Sequence, residues 1–313
     1  MEAALASYEN SMEASTVPQP AKSASRGRSS GNITGEGFEA AFVEKFPVGS
    51  QVSFAGELHS VEVSEKPFYE EGEGKTDVYL GLRSPDGVYK EVKISLKKDN
   101  ADFLENKLTL ARAVAIFGSE EAVEKLTDEV YGTLGEKLEG RQVDFTEKSG
   151  RTEAGSYTVG WRMDITTRKT GELSAKLPMT EEQLMHCYSG TNLIGNRRDA
   201  EVAGRLVKDS GVATHFLRGK PEELLKLSPE ELLVQVETVE DHVKAHPEVF
   251  VKLSALNYRE SKGDVTSYSA AIFGVNRATG RIEKVALKKR ADQLARRELE
   301  FMGRSYTGEG YHG

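Results

Sequence analysis

An α/β fold with a mixed central sheet flanked by helices is the class that the sequence predicts, and three observations lead there. Phenylalanines recur at helical spacing between residues 38 and 46, strand-like runs follow between residues 50 and 96, and further strand-like runs appear after residue 247, ahead of a basic helix. The stretch between them reads as mostly helical, so the sheet is expected to be interrupted by an insertion and completed late.

Composition bounds the possibilities. At 313 residues the chain can form one elaborated domain or two smaller ones. No apolar run approaches the ~18 residues of a membrane helix, and the polar N-terminus has no signal-peptide core, so no membrane partner is expected. Cys187 is the sole cysteine, which excludes an intramolecular disulfide and any thiolate-clustered metal site. The formal net charge of −8 argues against a generally basic nucleic-acid binder and leaves local patches to decide.

Residues 1–34 are rich in Ser, Ala and Glu and bury too little to offset their ordering entropy, which predicts a disordered tail. Order is expected from Gly35. Thr34 can cap a helix, Phe38, Phe42 and Phe46 form its apolar stripe, and Pro47 stops it. Strands are expected in "SQVSFAGELHSVEV", "TDVYLGLR" and "VYKEVKISL", then a helix in "DNADFLENKLTLARAVAIFG". Residues 35–118 thus read as helix, three strands, helix. Residues 119–246 read as a mostly helical insertion with one hairpin in "SYTVGWRMDITTRKTGELSAKL" and one long helix in "LSPEELLVQVETVEDHVKAHP", capped by Ser228 with Pro229 at its first position. Residues 247–313 read as late strands that complete the sheet and a basic C-terminal helix.

The turn "SPDG" fixes a register. Pro85 presets the first central position, Asp86 suits the second, and Gly87 can take the positive φ of a bulge residue. A three-residue hairpin loop then pairs Ser84 with Val88. Gly81 faces Glu91, Tyr79 faces Lys93, and Asp77 faces Ser95, so Asp77, Glu91 and Lys93 project from one face of the sheet. Two carboxylates and a lysine on one face suit a hard divalent cation, with Asp77, Glu91 and the Val92 carbonyl as ligands and Lys93 beside a phosphate.

This order of elements, with Asp77 and Glu91-Val92-Lys93, resembles the PD-(D/E)xK nuclease superfamily, which includes many restriction endonucleases, over roughly residues 35–118. The resemblance implies a restriction-endonuclease-like αβββαβ core and a metal-dependent DNA endonuclease. It makes Asp77 and Glu91 metal-binding carboxylates and Lys93 the catalytic lysine, with Glu39, or alternatively Glu44, contributed by the first helix. It implies Mg²⁺, with Mn²⁺ as a substitute, DNA as the partner, a homodimer as one admissible assembly, and a bacterial or phage-infected cytoplasm. Thr76 stands where the motif has proline. The rival expectation is a non-catalytic phage or mobile-element DNA-handling protein on a degenerate copy of the fold.

Other signals point elsewhere or nowhere. "GEGKTD" lacks the first glycine of a phosphate-binding loop, where Tyr69 stands, and precedes a strand. His186 and Cys187 are adjacent on a predicted helix and diverge by about 100°. Lys97 and Lys98 beside the site, and Arg197 and Arg198 in "GNRR", are the candidate DNA contacts.

Overall fold

The computed structural model describes residues 33–265, 272–285 and 291–303, so the expected N-terminal tail lies outside the described residues apart from its last two. The described chain is a mixed α/β structure of curled sheets flanked by helices.

The first helix, α1 (Gly35–Glu44), starts where Thr34 accepts a hydrogen bond from the Gly37 amide at 3.0 Å. Phe38, Phe42 and Phe46 are all at most 1% exposed. They pack on a meander of four strands, β1 (Gln51–Phe54), β2 (Glu57–Glu65), β3 (Val78–Arg83) and β4 (Tyr89–Lys98). The face they cover is made by Val78, Leu80 and Leu82 of β3 with Val92, Ile94 and Leu96 of β4, the positions of one alternation parity. The β1–β2 turn is the pair Ala55–Gly56, with φ of 53° and 82°. Both residues sit in the left-handed region that a two-residue hairpin of this hand requires.

The β3–β4 hairpin has the register its turn chemistry dictates. The Ser84 amide donates to the Val88 carbonyl at 3.0 Å, Gly87 has φ 89°, and Tyr79 pairs with Lys93 and Gly81 with Glu91. The next strand of this sheet is His215–Gly219, which runs parallel to β4 with His215 beside Ile94 and Gly219 beside Lys98. The short strand Glu237–Thr238 completes the sheet on its far side.

Several expectations for the middle of the chain are corrected. The insertion contains Ser156–Thr166, the central strand of a second sheet, and the late strand Val249–Arg259 pairs with it rather than completing the first sheet. Strand Ser174–Leu177 pairs with Val249–Arg259 as well, so "SYTVGWRMDITTRKTGELSAKL" is no hairpin. The burial of this strand shows why: Val159, Trp161, Met163 and Ile165 on one face and Thr158, Asp164 and Thr166 on the other are all buried, so it is covered on both faces. The segment after residue 99 is helical only over Leu110–Phe117, capped by Thr109, while Phe103–Glu105 is a strand on Ser156–Thr166. The long helix divides into Pro229–Val234 and Val239–Ala245, because Thr238 caps the second piece after pairing with His215. Strand Phe273–Asn276 also joins the second sheet, and the basic C-terminal helix is Ala291–Phe301. Among the described residues, no helix is long and apolar enough to cross a membrane.

Candidate active site

Asp77 lies immediately before β3, and its amide donates to the Ile94 carbonyl at 2.9 Å. Its carboxylate reaches across to β4, where Oδ2 accepts from the Leu96 amide at 2.7 Å and from Ser95 Oγ at 3.4 Å. Burial pushes this carboxyl above its ordinary range, against the pull of Lys97, the Leu96 N–H and Lys66. Lys97 is half-buried, two residues beyond Ser95 and so on the same face of β4.

Glu39 comes to the same place from α1. It follows Phe38, so the stripe that docks the helix also sets this side chain at the sheet edge. Its Oε2 accepts from Lys66 Nζ at 2.8 Å, and Lys66 also approaches Glu73 at 3.4 Å. Burial raises the Glu39 pKa, Lys66 opposes the rise, and the Asp77 charge adds to it. Glu44, the alternative on the same helix, is exposed. Tyr69 closes one side: its hydroxyl donates to the Thr76 carbonyl at 2.9 Å, and burial, with Asp77, Glu73 and Glu39 adding, keeps the phenol protonated.

Glu91 and Lys93 do not join this group. They share a face with Asp77, but Asp77 stands at the level of Ser95, four residues along β4 from Glu91. At ~3.3 Å per residue that is roughly 13 Å, too far for both carboxylates to ligate one ion. Val92 lies beside Glu91 in the same ladder, so the set Asp77, Glu91 and Val92 does not assemble. Lys93 is 7% exposed, donates to the Asp209 carbonyl at 2.9 Å and approaches Glu91 at 3.6 Å.

The other candidate DNA contacts are partly committed inside the molecule. Lys98 Nζ donates to the Ile33 carbonyl at 2.8 Å, and Arg197 Nε donates to the Glu73 carbonyl at 3.0 Å. Arg198 pairs with Asp209 and donates to the Thr191 carbonyl at 2.8 Å. Arg197 and its neighbours brace the loop that carries Glu73. The Gly211 amide donates to the Arg198 carbonyl and the Lys75 amide to the Gly211 carbonyl, both at 2.8 Å.

A second charged group supports the site from below. Lys75 Nζ lies 2.9 Å from Glu105 Oε1, which also accepts from Arg112 at 2.6 Å. Burial alone would raise the Glu105 pKa, but Lys75 and Arg112 hold it below the usual carboxylate range. Burial depresses Lys75.

Glu39, Asp77 and Lys97 therefore form the convergent set. Two hard oxygen donors beside an ammonium suit a cation such as Mg²⁺, which keeps most of its waters and needs only one or two carboxylates. Lys97 was legible as a basic residue but not as a partner of Asp77, although the hairpin register already put Ser95-Leu96-Lys97 at that level. No family model, no curated protein and no solved structure matches this chain.

Proposed function

We propose that the chain is a metal-dependent DNA endonuclease of the restriction-endonuclease-like class, with Glu39, Asp77 and Lys97 at its site. The observation that carries this reading is the meeting of a first-helix glutamate and a strand-edge aspartate beside a lysine of the neighbouring strand. The order of elements supports it too: a helix, an antiparallel meander, here of four strands, and a later strand parallel to β4 are parts that an αβββαβ core would use. In this reading Ser95-Leu96-Lys97, not Glu91-Val92-Lys93, stands at the level of the Glu-x-Lys motif.

Glu39 and Asp77 would hold Mg²⁺ or Mn²⁺, and the ion supplies Lewis-acid polarisation of a phosphate and a more acidic bound water. Lys97 places a fixed positive charge where charge develops on the scissile phosphate. Lys66, 2.8 Å from Glu39, offsets the charge of that carboxylate in the free protein. Tyr69 excludes water from the Thr76 side.

The test is incubation of the purified chain with supercoiled, linear and branched DNA, with Mg²⁺ and with EDTA. Cleavage that needs the metal and falls about 10²–10³-fold in Lys97→Ala is expected, the usual loss for one preorganised charge-stabilising group. No cleavage under any divalent metal would overturn it. The second reading, a non-catalytic phage or mobile-element DNA-handling protein on a degenerate fold, is favoured by Ser95 standing where the motif has a carboxylate. It requires DNA binding without cleavage.

A further inference from the structure

Glu91, which the proposed site does not use, borders a cavity of about 700 Å³ beyond the first residues of β4 and of strand His215–Gly219. Its walls are largely apolar, with Phe54 from the β1–β2 hairpin and Leu233 and Val234 from helix Pro229–Val234. The volume is that of a small-molecule site. The polar groups at its edge are held from behind. Tyr79, 2% exposed, sets its phenol beside Glu91, and Lys93 stands 3.6 Å from Glu91 Oε2. This carboxylate is oriented by two buried groups before any ligand arrives.

His215 is set in the same way. Thr214 Oγ1 donates to the Lys93 carbonyl at 3.3 Å and accepts from the Lys93 amide at 3.2 Å, leaving it an acceptor for His215 Nδ1 at 2.8 Å. Nδ1 then carries the proton and Nε2 is an acceptor. Burial, with Lys90 and Lys93 nearby, holds the ring down to about 4, so it is neutral at pH 7. The cavity thus offers the acceptors Glu91, Glu230 and His215 Nε2, an aromatic ring and aliphatic walls. Lys90 stands at the rim with its ammonium 5.4 Å from the centre of the Phe54 ring.

We infer that this cavity binds a planar heterocycle bearing adjacent N–H donors, and that a guanine base fits it best. A carboxylate accepts simultaneously from a ring N–H and an exocyclic amine on one edge, which guanine supplies and thymine does not. Lys90 is placed for a base carbonyl, and Phe54 for stacking. An anionic group inside the cavity is disfavoured, because Glu91 and Glu230 both face the space, so the base enters it and a nucleotide's phosphate stays outside. The base can come from a free nucleotide or from an unpaired position in a strand. The inference does not rest on the nuclease reading: Glu91 is six residues from Lys97 along β4, roughly 20 Å.

The experiment is calorimetric titration of the full chain with dGMP and dTMP, and with a short duplex carrying one unpaired guanine beside its fully paired control. Saturable dGMP binding is expected, at least about tenfold weaker for dTMP and for Glu91→Gln, the loss that one bidentate base contact typically carries. Val234→Trp, at a position 79% exposed on the cavity wall, should fill the space and abolish binding without disturbing the core. Asp77→Asn should bind dGMP like the wild type even if it loses all nuclease activity. Preference for the unpaired guanine over dGMP would identify a strand as the source, and equal affinity a free nucleotide. The inference fails if neither dGMP nor the unpaired-guanine duplex binds, or if Glu91→Gln and Val234→Trp both bind as the wild type does. Loss of dGMP binding in Asp77→Asn would also overturn it.

Discussion

Phe42→Ala tests how Glu39 reaches the sheet edge. Phe42 is fully buried in the middle of the α1 stripe, its ring centre 6.4 Å from that of Phe38 and 5.2 Å from that of Phe46. Truncating a buried phenylalanine costs about 3–5 kcal/mol through lost transfer energy and the cavity left behind. Two ring contacts are lost as well, and the meander beneath, already paired strand to strand, cannot collapse into the space. The expected loss is therefore in the upper half of that range, about 4–5 kcal/mol. Against a typical total of about 5–15 kcal/mol this leaves the variant folded but marginal. Urea unfolding followed by near-ultraviolet dichroism should show the midpoint falling by about 1.3–1.7 M, for an m-value of about 3 kcal/mol/M, the upper end of the usual range. Glu44→Gln, exposed on the same helix, should stay within about 0.5 kcal/mol of the wild type. A Phe42→Ala loss below about 2 kcal/mol would mean that α1 is not docked by its stripe, and the placement of Glu39 beside Asp77 would fall with it.

Further outcomes can be measured on the same material. Glu105→Gln leaves Lys75 and Arg112 buried against a neutral partner and should cost about 3 kcal/mol at pH 7. Because the Glu105 pKa is depressed in the fold, its contribution is present above the unfolded value near 4.3 and lost as pH falls through the folded one. The gap between variant and wild type in denaturant midpoint should therefore close in acid, and a pH-independent gap would contradict the ion-pair account. The neutral His215 acts in the same direction at higher pH, since the unfolded chain takes up a proton below about 6.5 that the folded one refuses until about 4. Up to about 2–3 kcal/mol of stability should be lost between pH 7 and pH 4, and His215→Gln should remove most of that slope. Ala55, at φ 53° in the β1–β2 turn, should be replaceable by Asn with a gain of several tenths of a kcal/mol to about 1 kcal/mol, read from thermal midpoints. Gly211→Ala puts a Cβ 2.1 Å from the Arg197 carbonyl oxygen and should destabilise by about 1–3 kcal/mol, with activity falling as the Glu73 loop loosens.

The parts of the molecule that the sequence made legible are those decided within about 15 residues. Thr34 and the phenylalanine stripe predict α1, and Pro85-Asp86-Gly87 predicts a register that the structure reproduces pair by pair. That register also fixes which residues share the level of Asp77. Once Asp77 faces Ser95, the lysine on its level is Lys97, and Glu91 belongs to a different stretch of the face. What stayed hidden depends on distant partners. Nothing local in "THFLRG" distinguishes a strand that inserts beside β4 from any other short apolar run, and the division of the strands between two sheets follows from which long strand Ser156–Thr166 can bury its faces against. The supposed long helix after Ser228 failed for a similar reason, since Glu237 and Thr238 are pulled out of it by pairing with His215 and Phe216.

The parallel strand beside β4 has a consequence for how the chain is made. A meander of adjacent hairpins can form as soon as it leaves the ribosome, but the outer edge of β4 has no neighbour until His215–Gly219 is synthesised, after the 116 residues 99–214. Over that interval the backbone groups of an apolar strand are open to any other extended segment, which is the condition under which chains aggregate or exchange strands. Lysines at the end of β4 and acidic residues in the loop before β3 discourage such pairing by charge. Slow synthesis through residues 99–214 should therefore lower the soluble yield more than an equal delay after residue 219.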